Sequence, residues 1–194
     1  MAGSNTDCID RFIKEARQVF ARSSDPREQA GAIAKHMEAL LVAPDLEDGI
    51  RRRANGRTGR IDLHVDGEQG HPGPGFCLMT SIPDPRGGGS RERYPHDHGA
   101  SWVVYGVYKG ATRQLKFRWA CPEGGDRKRP KLEEYDRFTQ KAGEAAFFLP
   151  GEIHMTGSAG NEGSKIIRLE AQKLDHVQRH FYGQKGETVT LVMR

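Results

Sequence analysis

Two histidines at His-x-His spacing, His96 and His98, head the apolar and aromatic run Tyr94–Gly110, YPHDHGASWVVYGVYKG. In an extended strand alternate side chains share a face, so both imidazoles point the same way, about 7 Å apart along the chain. Neutral imidazole is the commonest protein ligand for a divalent metal. A third candidate stands much later, in Phe147–His154 (FFLPGEIH), where an apolar strand enters a Pro-Gly turn and His154 emerges from it. Two β segments with a split set of His96, His98 and His154 read as a metal cage inside a β-barrel. Three neutral imidazoles suit Fe(II), Zn, Ni or Cu, with Mn also admitted, and geometry and availability decide between them. Structural zinc sites are closed by four ligands, whereas three leave room for water, substrate and dioxygen. Asp97 lies between the two histidines and is expected to face the other way, as a hydrogen-bond partner. Trp102 shares the parity of His96 and His98 if the strand has no bulge, which makes it a pocket wall or a core residue. Tyr105 and Tyr108 read as core or rim.

The His-x-His pattern with a Gly about a dozen residues on, answered by Gly…Pro-Gly-x-x-His, resembles the two motifs of the cupin superfamily. That resemblance implies a double-stranded β-helix barrel with its metal among those ligands. The cupin first motif also carries a Glu ligand four or five positions after its second His; here those positions are Trp102 and Val103. A carboxylate-free trio is similar to that of the thiol dioxygenases, the cysteine and mercaptopropionate enzymes, over roughly residues 30–182. The resemblance implies a mononuclear non-haem iron dioxygenase and a small anionic substrate such as a thiol carboxylate. It also shows a departure. Where those enzymes carry Ser-x-His-x-Tyr, this chain has Ile166, Arg168 and Glu170, and the position of the Cys that some of them crosslink is Val103. Arg168 and Glu170 share a strand face, either as a satisfied ion pair or as a working pair. In the second reading Arg168 clamps a substrate carboxylate bidentately and Glu170 acts as a base. A further substrate-binding Arg of the animal enzymes maps to the region of Arg60 and His64, either of which could occupy its place. The other readings are a metal-dependent cupin with another reaction (a carbon–carbon cleaving dioxygenase, a lyase or an isomerase), and a ligand-binding sensor without catalysis.

The elements that must position these groups follow from the periodicity. With 194 residues the chain reads as one domain, a helical preface over 1–45 and a barrel over 60–194. Ile9, Phe12, Ile13, Ala16, Val19 and Phe20 form a one-sided helical stripe. Asp25-Pro26 with Glu28 starts a second helix, whose buried face is Ile33, Met37, Leu40 and Leu41 and which Pro44 stops. From Ile61 the period is two: Ile61, Leu63 and Val65 alternate with Asp62 and His64. Further strands are expected at Phe76–Ile82, Ala111–Trp119, Leu132–Thr139, Glu144–Leu149, Lys165–Ala171 and Glu187–Met193. Pro83–Arg93, with three consecutive glycines, is expected to be a flexible loop at the pocket mouth, and Pro122–Pro130 an exposed excursion. Many short strands with Gly/Pro turns after helices make the fold mainly β, a barrel or sandwich.

Composition narrows the class. The net charge of +4 comes mostly from RRRANGRTGR (51–60) and RKRPK (127–131). These read as two solvated basic loops; no motif supports a nucleic-acid surface, and the useful residue is a bias toward anionic small molecules. No apolar run is long enough to span a membrane, and no secretory signal is visible. Three cysteines without CxxC spacing fit a reducing cytoplasm. A homodimer is compatible with the sequence but not implied by it.

Overall fold

The helical preface holds three helices: α1 (Cys8–Arg22), α2 (Pro26–Leu41) and α3 (Leu46–Ala54). The structure is a computed structural model, and it describes residues 7–67, 70, 73–83, 94–120, 131–159, 163–185 and 188–191. Asp7 caps α1 by accepting the Asp10 N–H, and Asp25 caps α2 by accepting that of Glu28, with Pro26 at the first position. The apolar faces expected for the first two helices are buried, with Phe20 half-buried. The third was not expected. Residues 51–60 read as a solvated basic loop, yet Arg51–Ala54 is helical, and Leu46, Ile50 and Ala54 are buried at helical spacing. Part of the basic run is also neutralised: Arg53 pairs with Asp7 and Asp10, and Arg52 with Asp7, which ties α3 to the start of α1.

Ten strands follow among the described residues: β1 (Gly59–Val65), β2 (Cys77–Ile82), β3 (Val103–Lys109), β4 (Ala111–Ala120), β5 (Lys131–Lys141), β6 (Ala145–Phe148), β7 (Ile153–Ser158), β8 (Lys165–Glu170), β9 (Tyr182–Lys185) and β10 (Thr188–Leu191). All pairings between them are antiparallel. They form a five-stranded sheet in the order β1-β2-β8-β3-β6, a three-stranded sheet β5-β4-β7, and the hairpin β10-β9. The fold is mainly β, with short N-terminal helices and antiparallel sheets. Strand β9 is not expected from the sequence. The expected loop over 83–93 and the excursion over 122–130 fall outside the described residues, apart from Pro83. Among the described residues no helix is long and apolar enough to cross a membrane.

The helices cover one face of the five-stranded sheet. There Phe20 stacks between Phe76 and Trp102, with ring centres 5.4 and 5.6 Å away. Gly106 lets α2 lie close, since a Cβ at that position would stand 2.7 Å from the Met37 side chain. The other face of β3 and β8 looks inward, toward the histidines.

Candidate metal centre

Backbone hydrogen bonds bring the two histidine stretches together. The N–H of His96 donates to the carbonyl of His154, and that of His154 to the carbonyl of His96, each at 2.9 Å. After His98 the chain turns, with the Ser101 N–H donating to the His98 carbonyl at 3.0 Å. Gly99 turns with φ 59, and any side chain there would collide with the Gln178 carbonyl. The Pro150-Gly151 turn closes on this one, because the Gly151 N–H donates to the Gly99 carbonyl at 3.2 Å.

The three rings converge as expected. Their centres are 5.2 Å (His96–His98), 4.6 Å (His96–His154) and 5.0 Å (His98–His154) apart, and one ring nitrogen from each lies within 4.8 Å of the others. His98 and His154 are fully buried, and both nitrogens of each lack a hydrogen-bond partner. The Tyr94 carbonyl lies 3.0 Å from His96 Nδ1, which assigns the proton there and leaves Nε2 as the donor atom. Burial pushes the His96 imidazole down to about 4, against the pull of the Tyr94 carbonyl. Burial first, then the His96 ring and Arg168, hold His98 and His154 well below the ordinary value. Neutral rings with unused lone pairs, buried where an unpaired polar atom costs about 1–3 kcal/mol, fit a divalent ion. Among the described residues the donor group contains no carboxylate.

Tyr105 faces this trio, its ring centre 5.4 Å from that of His154 and 6.3 Å from that of His98. Its hydroxyl accepts from Arg168 at 3.3 Å. Arg168 also donates to Met79 Sδ at 3.0 Å and to Glu170, while its buried Nε has no partner. The other Glu170 oxygen accepts the Leu174 N–H at 2.8 Å and lies 3.7 Å from Arg60. Glu170 is fully buried, so it holds Arg168 in place within a closed set of donors. Arg60 is likewise engaged, by Asp62 and Asp175.

Trp102 and His64 lie elsewhere. Trp102 is in the layer under the helices, stacked on Phe20 with Nε1 donating to Gln29 at 3.3 Å. The expectation that it lines the pocket assumed unbroken alternation from His98. The turn at Gly99–Ser101 resets it, so Val103 and Tyr105, not Trp102 and Val104, face inward. His64 lies beside Asp66 (2.8 Å) and Phe76 (5.5 Å between ring centres), in the same layer. A register shift between Asp62 and His64 breaks the alternation of β1 there.

A segment that sequence reasoning left unread completes the site. Phe181 bridges His96 on the side away from β7, its ring stacked 5.4 Å from that imidazole. Asp97, 5% exposed, fixes this segment. Its carboxylate accepts from the Tyr182 hydroxyl at 2.7 Å, the Gly99 N–H at 2.9 Å and the His180 N–H at 3.1 Å, and lies 3.0 Å from His180 Nδ1. Burial alone would raise the Asp97 carboxyl, but these donors win and hold it below its ordinary value. No local signal marked the segment; its partners lie some eighty residues upstream.

No family model matches the chain, and no curated protein matches it. Solved structures similar in shape include a conserved protein with a double-stranded β-helix domain from Klebsiella pneumoniae subsp. pneumoniae MGH 78578. That match has a TM-score of 0.41 and 14% identity, over 66% of this chain and 80% of that one. Another is oxalate oxidase in complex with the substrate analogue glycolate, with a TM-score of 0.39 and 18% identity over 66% of this chain and 57% of that one. A third is the Bacillus subtilis oxalate decarboxylase with Mn(II) centres, with a TM-score of 0.34 and 16% identity over 55% of this chain and 23% of that one. Folds of this kind host many chemistries, so function rests on the site.

Proposed function

We propose that this protein is a metal-dependent cupin enzyme, a mononuclear non-haem dioxygenase acting on a small anionic substrate by carbon–carbon bond cleavage. The observation that carries the reading is the trio itself: three neutral imidazoles, two of them fully buried with every ring nitrogen unpartnered, and no acid in the donor group. A divalent ion held by His96, His98 and His154, Fe(II) foremost, supplies a Lewis-acidic, redox-active centre with open positions. The chain supplies the rest. Arg168 fixes the Tyr105 hydroxyl and keeps its Nε N–H unpartnered for an anionic ligand. Tyr105, already accepting from Arg168, has its own proton to donate toward a bound substrate. Glu170 positions Arg168, and Phe148 and Phe181 wall off the imidazoles from water.

Carbon–carbon cleavage is favoured because the neutral donors of Ser-x-His-x-Tyr are replaced by Ile166, Arg168 and Glu170. Dioxygenation of a thiol carboxylate is the second reading, favoured by the carboxylate-free trio. The test is metal analysis of protein purified without a metal-affinity tag, then oxygen uptake after Fe(II) loading. About one ion per chain is expected, with uptake on small oxo acids or short dicarboxylates. Uptake on cysteine or mercaptopropionate alone would select the second reading. A bound ion with no uptake on any of them would sink the oxygenase.

A further inference from the structure

Two cations stand cross-strand from ligand imidazoles, and neither has an acid partner among the described residues. On β4, Lys116 is the direct partner of His154 on β7, so their side chains rise from one face with Cβ atoms about 4.5–5.5 Å apart. The Lys116 ammonium lies 5.4 Å from the centre of the Phe148 ring, and that ring stacks on His154 at 3.7 Å. The other cation is Arg179. His96 pairs with Phe181, the Asp97 N–H donates to the His180 carbonyl, and the same register two residues on sets Arg179 opposite His98. Its guanidinium lies 5.4 Å from the centre of the Phe181 ring, which in turn stacks on His96. The two halves of the site therefore repeat one device: a cation over a phenyl ring that leans on a ligand imidazole.

Two of the four cations around the trio lack an ion pair among the described residues. Arg168 is met by Glu170, and Arg60 by Asp62 and Asp175. Lys116 and Arg179 make no ion pair among the described residues; Asp136, the β5 neighbour of Lys116, is exposed and does not reach it. Two half-buried cations without an ion pair, beside three neutral imidazoles and a divalent ion, favour an anionic ligand. A monocarboxylate meets one of them.

We propose that Lys116 and Arg179 form a two-pole anion frame, and that the substrate is a short dicarboxylate or a comparable acid with two anionic groups. The inference rests on the metal-dependent reading above, but its test does not depend on turnover. The full chain is loaded with Zn(II), which has no redox chemistry, and titrated calorimetrically with oxalate, malonate, succinate and acetate; the metal-free chain is titrated in parallel. At least one dicarboxylate should bind about tenfold or more tightly than acetate, the scale of one added charge-assisted contact. Lys116→Gln and Arg179→Gln should each bring that dicarboxylate to within a few-fold of acetate, with zinc content unchanged. Lys116→Arg and Arg179→Lys, which keep the charge, should retain the preference. Equal affinity for acetate and every dicarboxylate, or a preference that survives both Gln variants, would overturn the frame. A dicarboxylate preference in a protein that consumes no oxygen would leave the frame standing and remove only the dioxygenase.

Discussion

Arg168 and Glu170 close on each other as a buried ion pair, with the second Glu170 oxygen taken by the Leu174 N–H at 2.8 Å. The pair links β8 to the turn that leads toward Arg179, so its first duty is to position chain. Glu170→Ala should cost about 3–5 kcal/mol, the scale for removing one partner of a buried pair. Glu170→Gln should cost less, because an amide oxygen can still accept from Arg168. Urea unfolding of the variants checks both, and an unchanged midpoint for Glu170→Ala would show that the pair holds nothing.

Replacing any one of His96, His98 or His154 by Ala should lower metal content from about one ion per chain to a small fraction of that, since two imidazoles cannot hold an open site tightly. Elemental analysis after dialysis reads this directly. Full occupancy in His154→Ala would remove the second motif from the ligand set.

The metal-free protein should be acid-sensitive in a defined window. Burial depresses the His96 imidazole to about 4 and the other two well below their usual value. A group whose folded value is depressed stabilises the fold above its unfolded value, near 6.5 for His, and that contribution is lost as pH falls toward the folded value. Thermal midpoints of metal-free protein should therefore drop between about pH 6.5 and pH 4. Added zinc should hold them up through the upper part of that range, because protons then compete with the ion. A flat profile for metal-free protein across this range would contradict the buried, neutral trio.

Asp7 offers a control remote from the site. Burial would raise its carboxyl, but hydrogen bonds from Arg53, the Asp10 N–H and Arg52 hold it well below the ordinary range. Its contribution is present above about pH 4 and is lost as pH falls below that. Asp7→Ala should cost about 1–2 kcal/mol at neutral pH, the upper range for an N-cap. Asp7→Asn keeps the cap and loses the charge, so it should cost less. The two denaturation curves should approach that of the unmodified protein in acid; a gap independent of pH would show that the Arg52 and Arg53 contacts contribute nothing.

The metal trio was legible because its signals are local. His-x-His and Pro-Gly-x-x-His are short, and the turns that aim them need Gly99 and Gly151 at fixed places. The inward face of β3 was not legible. Alternation carried forward from His98 puts Trp102 inside, and nothing in GASW announces that the turn resets the phase, so Tyr105 reads only as core or rim. The third helix could have been found from Leu46, Ile50 and Ala54, had the run of arginines not argued for solvent. Arg179 and Phe181 had no sequence signal at all, since their place depends on Asp97, His180 and Tyr182 meeting across the fold.

The way that segment is fastened has a bearing on how the protein could change. Its attachments run through Asp97 to His180 and Tyr182, and through the backbone bridge at His96; none of them uses the side chain of Arg179. Position 179 can thus be rewritten while the scaffold that presents it stays bolted to the ligand loop. Exchanging that one side chain offers a lineage, or an engineer, a way to redirect ligand choice without first surrendering the ion.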